Sequence, residues 1–240
     1  MMKTLLTREG RIFLADNKKD FHSEFGFVAK KSMAATGKTV KTNKGKELAV
    51  LNPSFMDLYR KIRRHAQIIT PKDVGLIITN TGINKKSFVV DLGSGSGALA
   101  CFIASLAKKV VTYDVDDRSI DAVKENIRLL NIKNMAIKKK DCYEAIDEGN
   151  VDVITADLPE PWRALENARK SLKAGGFFAS YSPHIIQSQR LVEEAAKNGF
   201  IVLKTVELIE REWVLDINKA RPDFKGLGHT GFLTFLRKFD

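Results

Sequence analysis

The sequence predicts an α/β fold, a largely parallel seven-stranded sheet covered by helices on both faces, preceded by a small N-terminal β module. Three observations predict it. From residue 88 onward, short apolar runs alternate with amphipathic runs at the spacing of strand–helix–strand units, which a parallel sheet with crossover helices accommodates. A glycine-rich turn, Asp91-Leu92-Gly93-Ser94-Gly95-Ser96-Gly97, joins the first of these strands to its helix. The first four strands each end in, or lead directly to, an aspartate: Asp91, Asp114, Asp141 and Asp157.

Residues 1 to about 50 alternate short apolar pieces, such as Ile12-Phe13-Leu14 and Phe25-Gly26-Phe27-Val28, with turn residues, and read as a few short strands. Residues 51–240 form the second domain, which two helices lead. The first opens at Ser54 with Asp57 three residues on, a capping-box spacing, and puts Phe55, Leu58, Tyr59 and Ile62 on one face. The second opens Thr70-Pro71-Lys72-Asp73, with a hydroxyl cap and proline at the first helical position. Strands follow over 88–91, 109–113, 135–137, 151–156 and 177–181. Between them lie helices over about 97–107, a stripe of Ile120, Val123, Ile127 and Leu130 ending at Asn131, and a helix with Trp162, Leu165 and Leu172 inward ending at Gly175-Gly176. A helix over 185–198 precedes strands near 200–208 and 230–237, which have no helix between them and are expected to pair antiparallel.

Hydrophobic residues make up 44% of the 240, enough for a full core, and no apolar run approaches the roughly 20 residues of a membrane span. The N-terminal stretch is broken by charges, so the expectation is a cytoplasmic protein with no membrane partner. Cys101 and Cys142 make neither a disulfide framework nor a metal site. The formal charge of +11 favours polyanionic partners, and it is lumpy: Lys38, Lys41, Lys44 and Lys46 cluster in the module, with Lys61, Arg63 and Arg64 nearby in sequence. His65, His184 and His229 have no carboxylate or cysteine at a spacing that marks a catalytic pair, and they read as packing or surface residues.

Ligands of open parallel sheets bind beyond the carboxyl ends of the strands, at the point where strand order reverses. The three glycines let backbone approach a ligand there, and Asp114, about 20 residues on, could accept hydrogen bonds from a ribose diol. A dinucleotide is the first alternative, but it would have G-x-G-x-x-G. A carboxylate at Asp91 would also repel a pyrophosphate, whereas it suits the ammonium of an amino-acid cofactor. The loop resembles motif I of the Rossmann-like methyltransferases, D/E-x-G-x-G-x-G. That resemblance implies S-adenosyl-L-methionine as methyl donor and S-adenosyl-L-homocysteine as product. It assigns the cofactor to Ile69, Asp91, Gly93, Ser94, Gly95, Ser96, Gly97, Asp114, Val115, Ser119, Asp141, Cys142 and Asp157, with an acid after the third strand contacting the adenine amino group.

The most specific segment is Asp157-Leu158-Pro159-Glu160-Pro161-Trp162, whose prolines stiffen the chain and hold Asp157 at a strand tip. It resembles the tRNA (adenine-N1)-methyltransferase family, the TrmI-like enzymes. Three further segments match that family: Gln67-Ile68-Ile69-Thr70-Pro71-Lys72-Asp73; Ser182-Pro183 with Gln187 and Gln189-Arg190; and Arg221-Pro222 with Gly228-His229-Thr230-Gly231-Phe232-Leu233. The resemblance implies methylation of N1 of a T-loop adenosine of tRNA at position 58, with 57 as a second candidate. Asp157 would be the catalytic residue that orients the base. Gln67, Thr70, Leu158, Pro159, Pro161, Ser182, Gln187, Arg63, Arg64 and His229 would face the substrate, and the assembly would be a homotetramer. The family has tyrosine where this chain has Thr70, so stacking of the target adenine falls to another group. The rivals are a methyltransferase acting on another RNA or a small molecule, and a non-catalytic tRNA-binding subunit. The latter would have eroded glycines or no aspartate at 157. No segment resembles the signatures of isoaspartyl-protein or precorrin methyltransferases.

Overall fold

Capping, turn glycines and strand pairing divide the chain into two compact units, the first ending at Ile62 and the second comprising Arg63–Asp240. The computed structural model describes residues 2–65 and 67–240.

In the first unit, β1 (Met2–Leu6), β2 (Ile12–Asp16), β5 (Lys38–Lys41) and β6 (Glu47–Leu51) form an antiparallel sheet in the order β2-β1-β6-β5. A short hairpin, β3 (Phe21–Ser23) and β4 (Gly26–Val28), lies between them in sequence. Leu5, Val28, Met33, Leu48 and Val50 are fully buried and form the core of this unit, with Phe13, Phe21 and Val40 against it. The helix α1 (Phe55–Tyr59) has the expected capping box: Asp57 N–H donates to Ser54 Oγ at 3.1 Å, and Ser54 N–H donates to the Asp57 carboxylate at 2.9 Å. The same carboxylate accepts from the Thr4 hydroxyl on β1 at 3.0 Å. That bond ties α1 to the β module, so the compact unit runs to Ile62 rather than to residue 50. The helix is shorter than its apolar spacing suggested, because the chain leaves helical geometry after Arg60 and Ile62 follows in a turn.

The second unit starts with α2 (Pro71–Thr81), closed by Gly82 in the left-handed region. Then come β7 (Phe88–Leu92), α3 (Ala98–Ala104), β8 (Lys109–Asp114), α4 (Asp117–Leu129), β9 (Met135–Lys139), β10 (Val151–Asp157), α5 (Leu165–Ser171), β11 (Leu172–Ser182), α6 (Ile185–Ala195), β12 (Phe200–Glu207), β13 (Trp213–Asp216), β14 (Lys219–Pro222) and β15 (Phe232–Lys238). Seven strands form one sheet in the order β12-β15-β11-β10-β7-β8-β9. The pairs from β11 to β9 are parallel, and β15 is inserted antiparallel to both β11 and β12. This is the expected sheet, including its antiparallel final strand. Val90, Leu92, Val111, Ile154, Leu165, Phe178 and Leu236 are buried in a core cluster of this unit.

Two local readings of the sequence differ from the structure. The helix after β10 ends at Ser171, not at Gly175-Gly176. Leu172 turns extended, and the extra residues 173–176 form a bulge, with Val151 opposite Leu172 and Val153 opposite Phe177. A Cβ on Gly176 would lie 2.9 Å from the Lys173 carbonyl oxygen, so this glycine serves the bulge, not a helix end. The β13–β14 hairpin was not anticipated, because its side chains are mostly exposed and carry no alternating burial signal.

A buried ionic node holds α2 to the C-terminal part of this unit. Asp73 is wholly buried and Lys72 nearly so, with Lys72 Nζ 2.9 Å from Asp73 Oδ1. The ammonium also donates to the Leu208 carbonyl at 2.6 Å and to Thr230 Oγ1 at 2.7 Å, and Thr70 and Thr230 hydroxyls donate to Asp73 Oδ2 at 2.8 and 2.9 Å. All three ammonium protons and both carboxylate oxygens are used, the condition under which a buried pair is tolerated. Removing one partner strands the other charge. Lys72→Met is expected to lower the unfolding free energy by about 3–5 kcal/mol, measured by urea denaturation.

Candidate active site

The sheet reverses its winding between β7 and β10, and the crevice at their carboxyl ends is where strand tips converge. In register, Asp91 sits between Thr112 of β8 and Thr155 of β10. Each threonine hydroxyl donates to one Asp91 carboxylate oxygen at 2.7 Å. This buried rung welds three parallel strands just below their ends. Above it the backbone turns back at Gly93 (φ +83°), whose amide, with that of Ser94, donates to the Tyr113 carbonyl at 3.0 and 2.9 Å. A Cβ on Gly93 would strike the main-chain carbonyl of Asp157, so only glycine lets the two strand ends approach this closely.

A cavity of about 770 Å³ opens over these tips, within the usual range for small-ligand sites. Asp91, Asp114, Asp141 and Asp157 all line it, as the sequence pattern anticipated. Also on its wall are Ile69, Gly93, Ser94, Gly95, Ser96, Val115 and Cys142 from the expected cofactor set, and Gln67, Leu158, Pro159 and Gln187 from the expected substrate set. Gly97 and Ser119 lie off the wall: a Cβ on Gly97 would come within 2.8 Å of Val123, so this glycine serves α3–α4 packing, and Ser119 bonds the His65 ring at 3.2 Å. Thr70, Pro161, Ser182, Arg63, Arg64 and His229 also lie off it. The Thr70 hydroxyl is committed to Asp73, and the residue borders a separate recess of about 250 Å³. Pro161 and Ser182 are buried, while the Arg63 guanidinium pairs with Glu125 at 2.7 Å.

The carboxylates differ in their surroundings. One Asp114 oxygen accepts from Gly95 N–H at 2.9 Å and Ser94 Oγ at 3.1 Å, while the other accepts from Asp116 N–H at 2.9 Å. Asp141 accepts from Tyr143 N–H at 2.8 Å. Burial pushes Asp91 up to about 6, against the pull of its two hydroxyl donors. Burial, aided by the nearby Asp91 charge, pushes Asp157 up to about 7. No described residue donates a hydrogen bond to the Asp157 carboxylate. A largely buried acid without a donor, facing a cavity, calls for a ligand that brings either a cation or an N–H. Cys142, on the same wall, is pushed up to about 12 by burial and stays a thiol.

The sequence model of the family described as "tRNA methyltransferase complex GCD14 subunit" matches residues 50–222. The chain belongs to this family. The tRNA (adenine(57)-N(1)/adenine(58)-N(1))-methyltransferase TrmI of Methanocaldococcus jannaschii is 32% identical to it, over 98% of this chain and 94% of its own length. The crystal structure of the tRNA (m1A58) methyltransferase TrmI from Aquifex aeolicus superposes with a TM-score of 0.86 at 26% identity, covering 100% of this chain and 97% of that one. A structure described as a SAM-dependent O-methyltransferase from Thermotoga maritima superposes with a TM-score of 0.91, also at 26% identity, covering 100% and 93%.

In this member of the GCD14 family, the segments singled out in sequence brace one another around the cavity. Gln187 Nε2 donates to the Pro159 carbonyl at 2.8 Å, and Gln187 Oε1 accepts from His184 N–H at 3.1 Å, so the residues after β11 clamp the proline-rich turn after β10. Glu160 N–H donates to the Tyr143 hydroxyl at 3.2 Å, and the Arg163 guanidinium lies 4.5 Å from the Tyr143 ring centroid. The His229 ring bonds Glu207 at 2.5 Å through one nitrogen and the Pro183 carbonyl at 3.0 Å through the other. Both partners are acceptors, and the hydrogen bond to Glu207, with that to the Pro183 carbonyl, raises the ring's affinity for protons. Asn126 carries the loop side: its Nδ2 donates to the Ser96 and Arg63 carbonyls at 2.8 and 2.9 Å.

Sequence reasoning missed several wall residues, notably Tyr113, Lys140, Tyr143, Tyr181 and His184. Tyr181 lies opposite Asp157 in the β10–β11 register, and its hydroxyl donates to the Thr230 carbonyl. Gly231 is required beside it, since a Cβ there would meet the Tyr181 ring at 2.5 Å. The only signal for Tyr181 was its place at the tip of a parallel strand, the same signal that selected the aspartates.

The raised Asp157 has a stability consequence. A carboxyl whose folded pKa exceeds its unfolded value contributes stability at low pH and loses it as pH rises through the folded value. Asp157→Asn should therefore match the parent near pH 4 and become progressively more stable than it between pH 5 and 8. The side chain opens onto the cavity, so the gain at pH 8 is on the order of 1 kcal/mol. Thermal denaturation of both proteins across this pH range measures it.

Proposed function

We propose that this chain transfers the methyl group of S-adenosyl-L-methionine to N1 of an adenosine in the T loop of tRNA, at position 58 and at 57 where that base is also adenosine. The observation that carries the reading is Asp157: a mostly buried carboxylate, without a hydrogen-bond donor among the described residues, at the tip of the strand beside the glycine turn. The cavity suits the donor. Four carboxylates line it, against His184 and Lys140, whose ammonium is paired with Asp147, so a sulfonium and an ammonium find opposite charge. S-adenosyl-L-methionine supplies an electrophilic methyl group and departs as S-adenosyl-L-homocysteine.

The residues of the chain then divide the work. Gly93 and Gly95 bring bare backbone to the ligand, Asp114 faces the ribose diol, and Asp141 with Cys142 faces the adenine edge of the cofactor. Asp91 contributes negative charge from below, its oxygens each held by one threonine hydroxyl and each keeping a lone pair for the ligand. Asp157, ionised, accepts from the exocyclic amine of the target base and turns N1 toward the methyl group. N1 attacks through an in-plane lone pair, so no base has to remove a proton first. Positive charge grows on the purine during transfer, and the Asp157 carboxylate is in place to offset it. Leu158 and Pro159 form the apolar wall beside the reacting centre, and the target base must leave its stack to reach it. With Thr70 outside the cavity, Tyr181 and Tyr143 are among the wall rings that could flank the base.

We assign the chain to the cytoplasm, where its tRNA substrate would be met; no helix among the described residues is long and apolar enough to cross a membrane. The assembly we propose is a homotetramer. The β13–β14 hairpin supports it, exposing Trp213, Leu215 and Ile217 to solvent.

Incubation of the protein with unmodified tRNA and labelled S-adenosyl-L-methionine, followed by nucleoside analysis, should yield 1-methyladenosine. Transcripts carrying guanosine at 57 or at 58 locate the site. Asp157→Ala should lower kcat by at least a hundredfold while calorimetry shows cofactor binding largely kept. Full activity in that variant would remove Asp157 from the mechanism.

A further inference from the structure

The positive charge of the chain is concentrated in its first quarter. Residues 1–62 hold thirteen Lys and Arg against six Asp and Glu, which is +7 of the net +11. Within this unit the β3–β4 hairpin and the turn between β5 and β6 are stitched together. Phe27 N–H donates to Asn43 Oδ1 at 2.8 Å, and Asn43 N–H donates to the Phe27 carbonyl at 3.1 Å. Gly26 (φ +102°) permits that approach, because a Cβ there would collide with the Asn43 side chain. The main chain of Phe27 is thereby fixed; the residue is 40% exposed, and its ring lies 5.9 Å from the ring of His22, also exposed, at an interplanar angle of 30°.

Lysines without an ion-pair partner among the described residues lie next to these segments in the chain. Lys30 follows β4 by two residues, and its amide is fixed by the Asp20 carboxylate at 2.8 Å, next to Lys19. Lys31 adjoins it, and Lys44 reaches only the Glu24 main-chain carbonyl, at 3.5 Å. Lys19, Lys30, Lys31 and Lys44 are exposed and form no ion pair with any described residue. Elsewhere in the unit Arg8 and Lys41 pair with Glu47, Arg11 with Glu24, and Lys46 with Glu9. An exposed aromatic pair on elements that carry unpaired lysines has the composition of a site for unpaired nucleotides, where a base stacks and its flanking phosphates meet the lysines.

We propose that the Phe27–His22 face of the N-terminal unit is an RNA-docking surface that stacks an unpaired base of the tRNA on Phe27 and holds the adjoining phosphates with Lys30, Lys31 and Lys44. This rests on tRNA being the substrate. It assigns to the first unit a share of substrate binding separate from the chemistry at Asp157. Stacking tolerates any base, so the surface adds affinity without reading sequence, and the sequence requirement stays with the methyl-transfer site.

The test uses the full chain and unmodified tRNA, with Kd measured by filter binding over a series of salt concentrations. Phe27→Ala should raise the Kd roughly tenfold, and Phe27→Trp should restore it. The double substitution Lys30→Gln, Lys31→Gln should weaken binding and reduce the slope of log Kd against log salt by about 1.5. The pair Lys85→Gln, Lys86→Gln, an equal loss of exposed charge in the second unit, should leave that slope near the parent value. In every variant the kcat at saturating tRNA, the melting temperature and the affinity for S-adenosyl-L-methionine should match the parent. Unchanged tRNA affinity for Phe27→Ala and the Lys30/Lys31 pair would overturn the proposal, as would an equal effect from the Lys85/Lys86 pair. So would loss of binding to phosphatidylserine vesicles in these variants while tRNA binding persists. A parent protein that binds tRNA through this face yet forms no 1-methyladenosine would overturn the methyl-transfer reading and leave the docking surface standing.

Discussion

The chain leaving β7 passes so close to the end of β10 that the Gly93 Cα faces the Asp157 carbonyl with no room for a side chain between them. That approach is possible because the strands beneath are locked in register by the Asp91 carboxylate, which bonds Thr112 on one side and Thr155 on the other. Two donors keep a buried acid in place, although burial still lifts it to about 6. The close approach also sets the position of Asp157 relative to the glycine turn. The cavity and its electronegative floor both depend on it.

Around this point the fold spends its polar contacts on holding loops still. The turn after β10 is clamped by Gln187, the turn after β11 by His229, and the glycine loop by Asn126 and by Asp114. α2 is fastened to the C-terminal region by the Lys72–Asp73–Thr230 node. Most of these braces come from segments that stand out in the sequence as family-like, yet several never touch the cavity. Residues such as Thr70 and His229 keep the wall rigid without forming it. Preorganisation of this kind matters in methyl transfer, where no proton has to move and the protein acts chiefly by placing two molecules in line.

The two units differ in electrostatic character. The second concentrates carboxylates at one crevice, which suits a cationic donor, whereas the first carries most of the excess positive charge on exposed lysines. A polyanion and a cation are thus favoured at different places on the chain.

Sequence alone determined the strand–helix alternation, the glycine turn, and the four aspartates at successive strand ends. Each is a local property, readable from periodicity, from the need for a missing Cβ, or from the position of a residue at the end of an apolar run. It also led to the capping box at Ser54 and the antiparallel final strand. Tertiary structure decided the rest. It showed that Asp91 is held by threonines 21 and 64 residues away and that Gly97 serves helix packing. It placed Tyr181 and Tyr143 on the wall while Thr70, Ser182 and His229 stand outside it, and it continued the first unit past residue 50 to Ile62. The physical reason is common to all of these. A side chain's partners across a parallel sheet are set by register and crossover geometry, which bring together residues from strands that are not consecutive, and no spacing along the chain records which hydroxyl, carbonyl or void will lie opposite.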